Sequence, residues 1–126
     1  MKFFLGLFLL LIIFPFFSCQ KQAERKLEGD WREINVINPD TTERIDWNMS
    51  GGYLYIIQSF TDNAKIDTQA YGEYTVKVRP LRKIFSVTSC SNSNYLGDWK
   101  ITKLTNKNFS IAKEKKGVTY HEFSKQ

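Results

Sequence analysis

The sequence after residue 26 predicts an all-β domain, an antiparallel up-and-down barrel of about eight strands. Apolar and polar residues alternate, as in Tyr53–Phe60, and little of this region has a helical period. Turn signals such as Asn38-Pro39-Asp40 and Ser50-Gly51-Gly52 recur every 8–12 residues or so, and they leave only short connections between strands. A meander of this length has two unpaired edges unless it closes. A β-sandwich remains the alternative, because alternation alone does not show closure.

The individual strands follow from the apolar and turn residues in chain order. The predicted strands are Leu27–Ile37, Arg44–Met49, Tyr53–Phe60, Ala64–Thr68, Tyr71–Val78, Leu81–Ser89, Tyr95–Leu104, Asn108–Lys113 and Val118–Ser124. Within the third strand, Leu54 and Ile56 share one face, and Tyr53 and Tyr55 share the other. The same alternation puts Tyr74 with Val76, Trp99 with Ile101, and Phe109 with Ile111 on common faces. We expect these apolar faces to form the core.

The N-terminus has the pattern of a bacterial secretory signal. The positive start Met1-Lys2 precedes the apolar run Phe3–Phe17, and Ser18-Cys19 follows. A membrane-spanning helix needs about 20 apolar residues, so this run is short for a span. The pattern resembles a lipoprotein signal, in which the chain is cut before the cysteine and its thiol is acylated. That resemblance implies removal of residues 1–18 and a palmitate-type lipid anchor on Cys19; an ordinary signal peptide and a retained anchor are the alternatives.

A lipid anchor implies attachment to the outer membrane of a bacterial envelope. Residues 19–26 are polar after the cysteine and predict a tether, so the barrel domain is expected over residues 27–126. Gln20-Lys21 followed by Glu24 is similar to a signal that sends some lipoproteins to the cell surface, and a plain spacer is the alternative. The periplasmic and the surface face of the membrane therefore both remain open.

Charge and composition exclude several classes of protein. Only Lys2 among the charged residues precedes Cys19, so the chain from Cys19 onward has 17 basic and 13 acidic side chains, a formal charge of +4. The basic residues are scattered, and the run Lys113–Lys116 before Gly117 fits a solvated hairpin turn. A nucleic-acid interface would need a continuous basic face with stacking aromatics. We predict no nucleic-acid partner, and the sequence shows no obvious internal repeat.

No catalytic or metal site can be identified in the sequence. His121 is the only histidine, and no cluster of His, Cys, Asp and Glu has the spacing of metal ligands. No nucleophile motif or glycine-rich phosphate loop accompanies it. We predict that the protein is not an enzyme and uses no metal or cofactor. With Cys19 acylated, Cys90 has no partner in its chain, so we expect a buried or half-buried thiol, with an intermolecular disulfide as the alternative.

One opening stretch and three later segments resemble the small bacterial lipocalin-like lipoproteins. Leu27-Glu28-Gly29-Asp30-Trp31 is similar to the opening Gly-x-Trp strand of lipocalin-like barrels. The segments from Trp99 to Leu104, Asn108 to Ile111 and Tyr120 to Phe123 are similar to the closing strands. The resemblance implies that Gly29 and Trp31 are structural residues at one barrel end. Lipocalins often stack an arginine on this tryptophan; here only a lysine such as Lys113 or Lys125 could do so, because no Arg follows Arg82.

Aromatic residues suggest two possible functions. Rings that point inward line the lumen of a barrel, and Tyr74, Trp99 and Phe109 are the expected lining of a pocket for a small apolar ligand. The first hypothesis is therefore a lipid-anchored barrel that binds such a ligand. The alternative is a barrel filled by its own rings, which docks to an envelope protein or polymer as a structural or interaction protein.

One short motif predicts a modification. Asp40-Thr41-Thr42 is similar to the acceptor for O-glycosylation in some bacteria that have lipoproteins of this type, with Thr41 as the acceptor. The motif lies in a predicted exposed turn.

Overall fold

Eight strands form one closed antiparallel barrel in the computed structural model, which describes residues 19–34, 43–60, 66–114 and 117–126. Each strand pairs with its neighbour along the chain, and the last pairs with the first. The strands are β1 (Gly29–Glu33), β2 (Glu43–Ser50), β3 (Tyr53–Phe60), β4 (Ile66–Arg79), β5 (Arg82–Cys90), β6 (Gly97–Leu104), β7 (Asn108–Glu114) and β8 (Val118–Lys125). The predicted up-and-down barrel is confirmed, and the sandwich alternative is excluded.

The barrel closes along a short seam between β1 and β8. Trp31 lies opposite Lys125, and Glu33 lies opposite Phe123. Two backbone hydrogen bonds extend this seam, from the Ile34 amide to the Glu122 carbonyl over 2.7 Å and from the Gln126 amide to the Asp30 carbonyl over 2.9 Å. Closure removes the free edges that an open meander would expose.

One long strand replaces two predicted ones. The prediction of separate strands at Ala64–Thr68 and Tyr71–Val78 is wrong, because β4 runs without a break from Ile66 to Arg79. Ala70 pairs with Ile56 and Thr68 pairs with Ile57, which leaves Gln69 as an extra residue. Such a bulge shifts the alternation by one residue, so a continuous strand reads in the sequence as two.

The inward-facing residues fill the barrel. As predicted, Leu54 and Ile56 are fully buried, whereas Tyr53 is 55% exposed on the outer face. The side chains with no accessible surface are Leu27, Trp31, Trp47, Met49, Leu54, Ile56, Phe85, Phe109, Ile111 and Phe123. A cavity large enough for water would give its lining residues accessible surface. These side chains therefore pack against other protein atoms on all sides.

The two ends of the barrel differ. Residues 19–27 are helical and lead directly into Gly29, so they lie at the end where β1 starts; we call this the helix end. Ala23 and Leu27 are 2% and 0% exposed and belong to the core cluster. They are one helical turn apart, so they share a face and close the barrel. The opposite end contains the turn from β5 to β6, with a 3₁₀ helix at Ser93–Tyr95; we call this the loop end.

The helical segment corrects the prediction of a tether over residues 19–26. The segment is polar on most of its surface, which suggested an extended spacer, but Ala23 packs in the core together with Leu27. A single small apolar residue one turn before a leucine is too weak a pattern to predict a helix. Within the residues that the structure describes, no helix has the length and hydropathy of a membrane span.

Candidate functional site

The same three residues, Gly-Asp-Trp, open β1 and β6. Gly29-Asp30-Trp31 starts β1 at the helix end, and Gly97-Asp98-Trp99 starts β6 at the loop end. A helical turn precedes each unit: residues 19–27 in the first case and Ser93–Tyr95 in the second. This recurrence was not predicted from the sequence, because three identical residues are too few to define a repeat.

At the helix end, the unit fixes Trp31 beneath a lysine. The indole Nε1–H of Trp31 donates to the Leu27 carbonyl over 2.7 Å, and Lys125 Nζ lies 5.2 Å from the ring centroid. Gly29 has a φ of 121°, and a Cβ there would approach Lys125 Cε to 3.0 Å. Glycine therefore provides both the backbone conformation and the space for the lysine stem. The cation over the ring adds a favourable electrostatic contact.

At the loop end, the same contacts recur around Trp99. Its Nε1–H donates to the Tyr95 carbonyl over 2.9 Å, and Lys113 Nζ lies 4.9 Å from its ring centroid. Gly97 has a φ of 106°, with Lys113 Nζ 3.2 Å from the position of a Cβ. Lys113 also donates to the Leu96 carbonyl. Both ends of the barrel are thus braced by a tryptophan, a glycine and a lysine from the neighbouring strand.

A pocket of about 650 Å³ lies at the loop end. It is lined by the turn Asn92–Leu96 together with Trp99, Lys113, Thr119 and His121. The corresponding position at the helix end is filled by Ala23 and Leu27. The lining combines aromatic rings with amide, hydroxyl and imidazole groups, as small-molecule sites commonly do.

His121 and Glu33 form a polar pair in this region. His121 Nδ1 lies 2.5 Å from Glu33 Oε1, and the two side chains are 17% and 18% exposed. If the imidazole donates from Nδ1 to the carboxylate, Nε2 of the neutral ring is an acceptor. Tyr95 lies nearby: burial raises the pKa of Tyr95, and the negative charges of Glu33 and Cys90 add to the shift.

Trp47 lies beneath the pocket, and its buried indole N–H has no hydrogen-bond partner among the described residues. Its ring centroid is 5.4 Å from Tyr95 and 6.0 Å from His121, both of which line the pocket. Trp47 is fully buried, and its Nε1–H meets no acceptor in the described part of the chain. Leaving a buried donor unpaired costs about 1–3 kcal/mol. The equivalent indole groups of Trp31 and Trp99 both have carbonyl partners.

The three residues predicted to line a ligand pocket do not surround a single one. Tyr74 and Phe109 lie in the core, with ring centroids 5.1 Å and 5.8 Å from that of Phe85. Trp99 lines the pocket at the loop end. The prediction missed Tyr95, whose ring packs on Trp47, and His121, which it assigned to no site. An alternating pattern assigns residues to a face but gives no position along the barrel axis.

Tyr74 gives a test of burial that depends on pH. Burial, with the negative charges of Glu28 and Glu24 adding to it, raises the pKa of Tyr74 to about 12 from its usual 10.0. The unfolded chain therefore loses this proton first, and stability falls as the pH rises from 10.0 to about 12. We expect the free energy of unfolding to decrease by about 2–3 kcal/mol across this window. The full decrease is reached only above the pKa of Tyr74 in the folded protein.

Urea denaturation across this pH window, on the wild type and on Tyr74→Phe, measures the effect. The variant lacks the titrating group, so the difference between its curve and that of the wild type isolates Tyr74. Parallel curves for the two proteins would contradict the expectation.

The other residues singled out in the sequence are the two cysteines, Thr41 and the signal segment. Cys19 is exposed and Cys90 is half-buried, and both are free thiols. Thr41 and the signal segment 1–18 lie outside the described residues, so the glycosylation and cleavage predictions stay predictions. No group of three or more His, Cys, Asp or Glu side chains that could hold a metal occurs among the residues described.

Comparison with known proteins gives no relative for this chain. No family model, no curated protein and no solved structure matches it. The site must therefore be judged from its own geometry.

Proposed function

We propose that this chain is a lipid-anchored protein of a bacterial cell envelope, with a lipocalin-like barrel that binds a small ligand at its loop end. The signal-like segment before Cys19 supports the anchor. Cys19 is exposed at the start of the helical residues 19–27, which pack at the helix end. An anchor there leaves the loop-end pocket on the side away from the membrane. Lys125 over Trp31 supports the lipocalin-like assignment, since it takes the place of the arginine of that family.

The proposed ligand binds in the loop-end pocket and not deep in the lumen. The centre of the barrel is filled by fully buried side chains such as Phe85 and Phe109. The observation that carries the proposal is the pocket itself, whose lining brings Tyr95, Trp99 and His121 together at the loop end. The rings of Tyr95 and Trp99 would contact an apolar ring or chain, and His121 with the polar side chains of Asn92–Asn94 would bind a polar group. The best-fitting ligand class is a small molecule with an apolar ring or chain and a polar group.

Native mass spectrometry of the full chain purified from its host's membranes tests both parts of the proposal. We expect a covalent mass increase on the chain that starts at Cys19, consistent with acylation. We also expect a non-covalent adduct of small-molecule size. Trp99→Phe makes a smaller ring at a position that lines the pocket, so the adduct should weaken about fivefold.

Trp31→Phe is the matched control, because it makes the same change at the helix end. It should retain the adduct. A bare protein mass, or equal loss of the adduct in both variants, would contradict ligand binding.

Either result would favour the second function, docking to an envelope protein or polymer. The available surface for docking is formed by the exposed rings of Tyr53, Tyr55 and Tyr71 on the outer face of β3 and β4. A chain of unmodified mass would contradict the lipid anchor.

A further inference from the structure

The hairpin between β4 and β5 combines an exposed leucine with a concentration of positive charge. Leu81, in the two-residue turn, is 98% exposed. No acidic residue occurs between Thr75 and Val87. The exposed cations of this hairpin are Lys77, Arg79, Arg82 and Lys83. Leu81 contributes nothing to the core, so packing within the barrel does not account for a large apolar side chain among these cations.

The cations of the hairpin have no acidic partner among the described residues. Arg79 lies directly opposite Arg82 in the β4–β5 pairing, and like charges opposite each other destabilise a sheet. Ion pairs among the described residues join Arg32 to Asp46 and His121 to Glu33, and neither involves this hairpin. Negative charge supplied from outside would reduce the repulsion between the two arginines.

The hairpin opens at the helix end of the barrel. Neighbouring strands are antiparallel, so β1 and β3 start at the same end, and β4 finishes there. The turn at Pro80-Leu81 therefore lies at the end where the helical residues 19–27 pack, and Cys19 among them is exposed. The basic hairpin and the point where the chain enters the domain are on the same side of the molecule.

We propose that this hairpin docks on an anionic lipid bilayer, with Leu81 entering the boundary between headgroups and acyl chains. The cations on either side contact lipid phosphates. A soluble anion would use the charges but not the leucine, whereas a membrane surface uses both. The inference adds a second contact with the membrane to the proposed anchor, and it depends neither on acylation nor on the loop-end ligand.

Vesicle sedimentation tests the proposal on residues 19–126, which contain every element described, with Cys19→Ser to remove the acyl site. The vesicles are phosphatidylcholine alone, or phosphatidylcholine mixed with phosphatidylglycerol. We expect binding to the mixed vesicles only, and weaker binding as salt increases. Arg79→Gln with Arg82→Gln should weaken it roughly 25-fold, about fivefold per cation. Leu81→Ser should weaken it about fivefold or more.

The control is Arg44→Glu, which lowers the net charge by the same amount at an exposed position of β2 near the loop end. It should change binding less than about twofold, and circular dichroism confirms that each variant folds. Equal weakening by this control and by the double variant would show attraction to net charge only and would overturn the proposal. Unchanged binding of Leu81→Ser, together with full competition by soluble polyphosphate, would also overturn it, because the partner would then be an anionic polymer.

Discussion

Replacement of Trp31 by alanine is expected to lower the free energy of unfolding by about 3–5 kcal/mol. Trp31 is fully buried, donates to the Leu27 carbonyl and packs against Phe109 with ring centroids 5.6 Å apart. Its removal leaves a cavity, an unpaired buried carbonyl and Lys125 without its ring. Urea denaturation followed by circular dichroism measures the loss.

Tyr53→Ala is the matched control for Trp31. It truncates a large ring on the barrel wall that is 55% exposed, and we expect a change of less than about 1 kcal/mol. If the two variants lose similar stability, Trp31 does not brace the helix end as described.

The second large effect is expected at Leu27. Leu27→Ala should cost about 2–5 kcal/mol, because this side chain is fully buried where the helical residues close the barrel. Gln22→Ala, an exposed position in the same helical stretch, should change stability by no more than about 0.5 kcal/mol. The same urea titration distinguishes them. A negligible effect of Leu27→Ala would mean that residues 19–27 are a spacer after all and contribute nothing to the fold.

The fold could be predicted from the sequence because its signals are local. Alternation along β3 and β7, with glycine or polar turns between strands, is determined by residues within a few positions of each other. The predicted span of β3, Tyr53–Phe60, agrees with the structure. The bulge at Gln69 shifts the alternation by one residue, and the prediction therefore divided β4 into two strands. A bulge is fixed by the pairing partner, which one strand's sequence does not show.

The candidate site was predicted less well, because it depends on contacts between distant residues. His121 and Glu33 are 88 positions apart in the sequence. Their contact follows from barrel closure and strand register. Tyr74, Trp99 and Phe109 were correctly assigned to the inner face, but their heights along the barrel are set by the stagger of the strands. The sequence contained one signal for the site. The Gly-Asp-Trp tripeptide that opens β1 occurs again at the start of β6, which is at the loop end.

The seam between β1 and β8 has a consequence for folding. The other strand pairs are hairpins between neighbours, so their loop-closure entropy is small. The seam joins the two ends of the chain over the short stretch from Trp31 to Glu33, which makes it the costliest pairing to nucleate. We therefore expect neighbouring strands to pair first into a curved sheet, and β1 to pair with β8 last. Until it closes, β1 and β8 present open edges that can add strands from other molecules. If a lipid anchor holds neighbouring chains close together on a membrane, as proposed, rapid closure of this seam limits their aggregation.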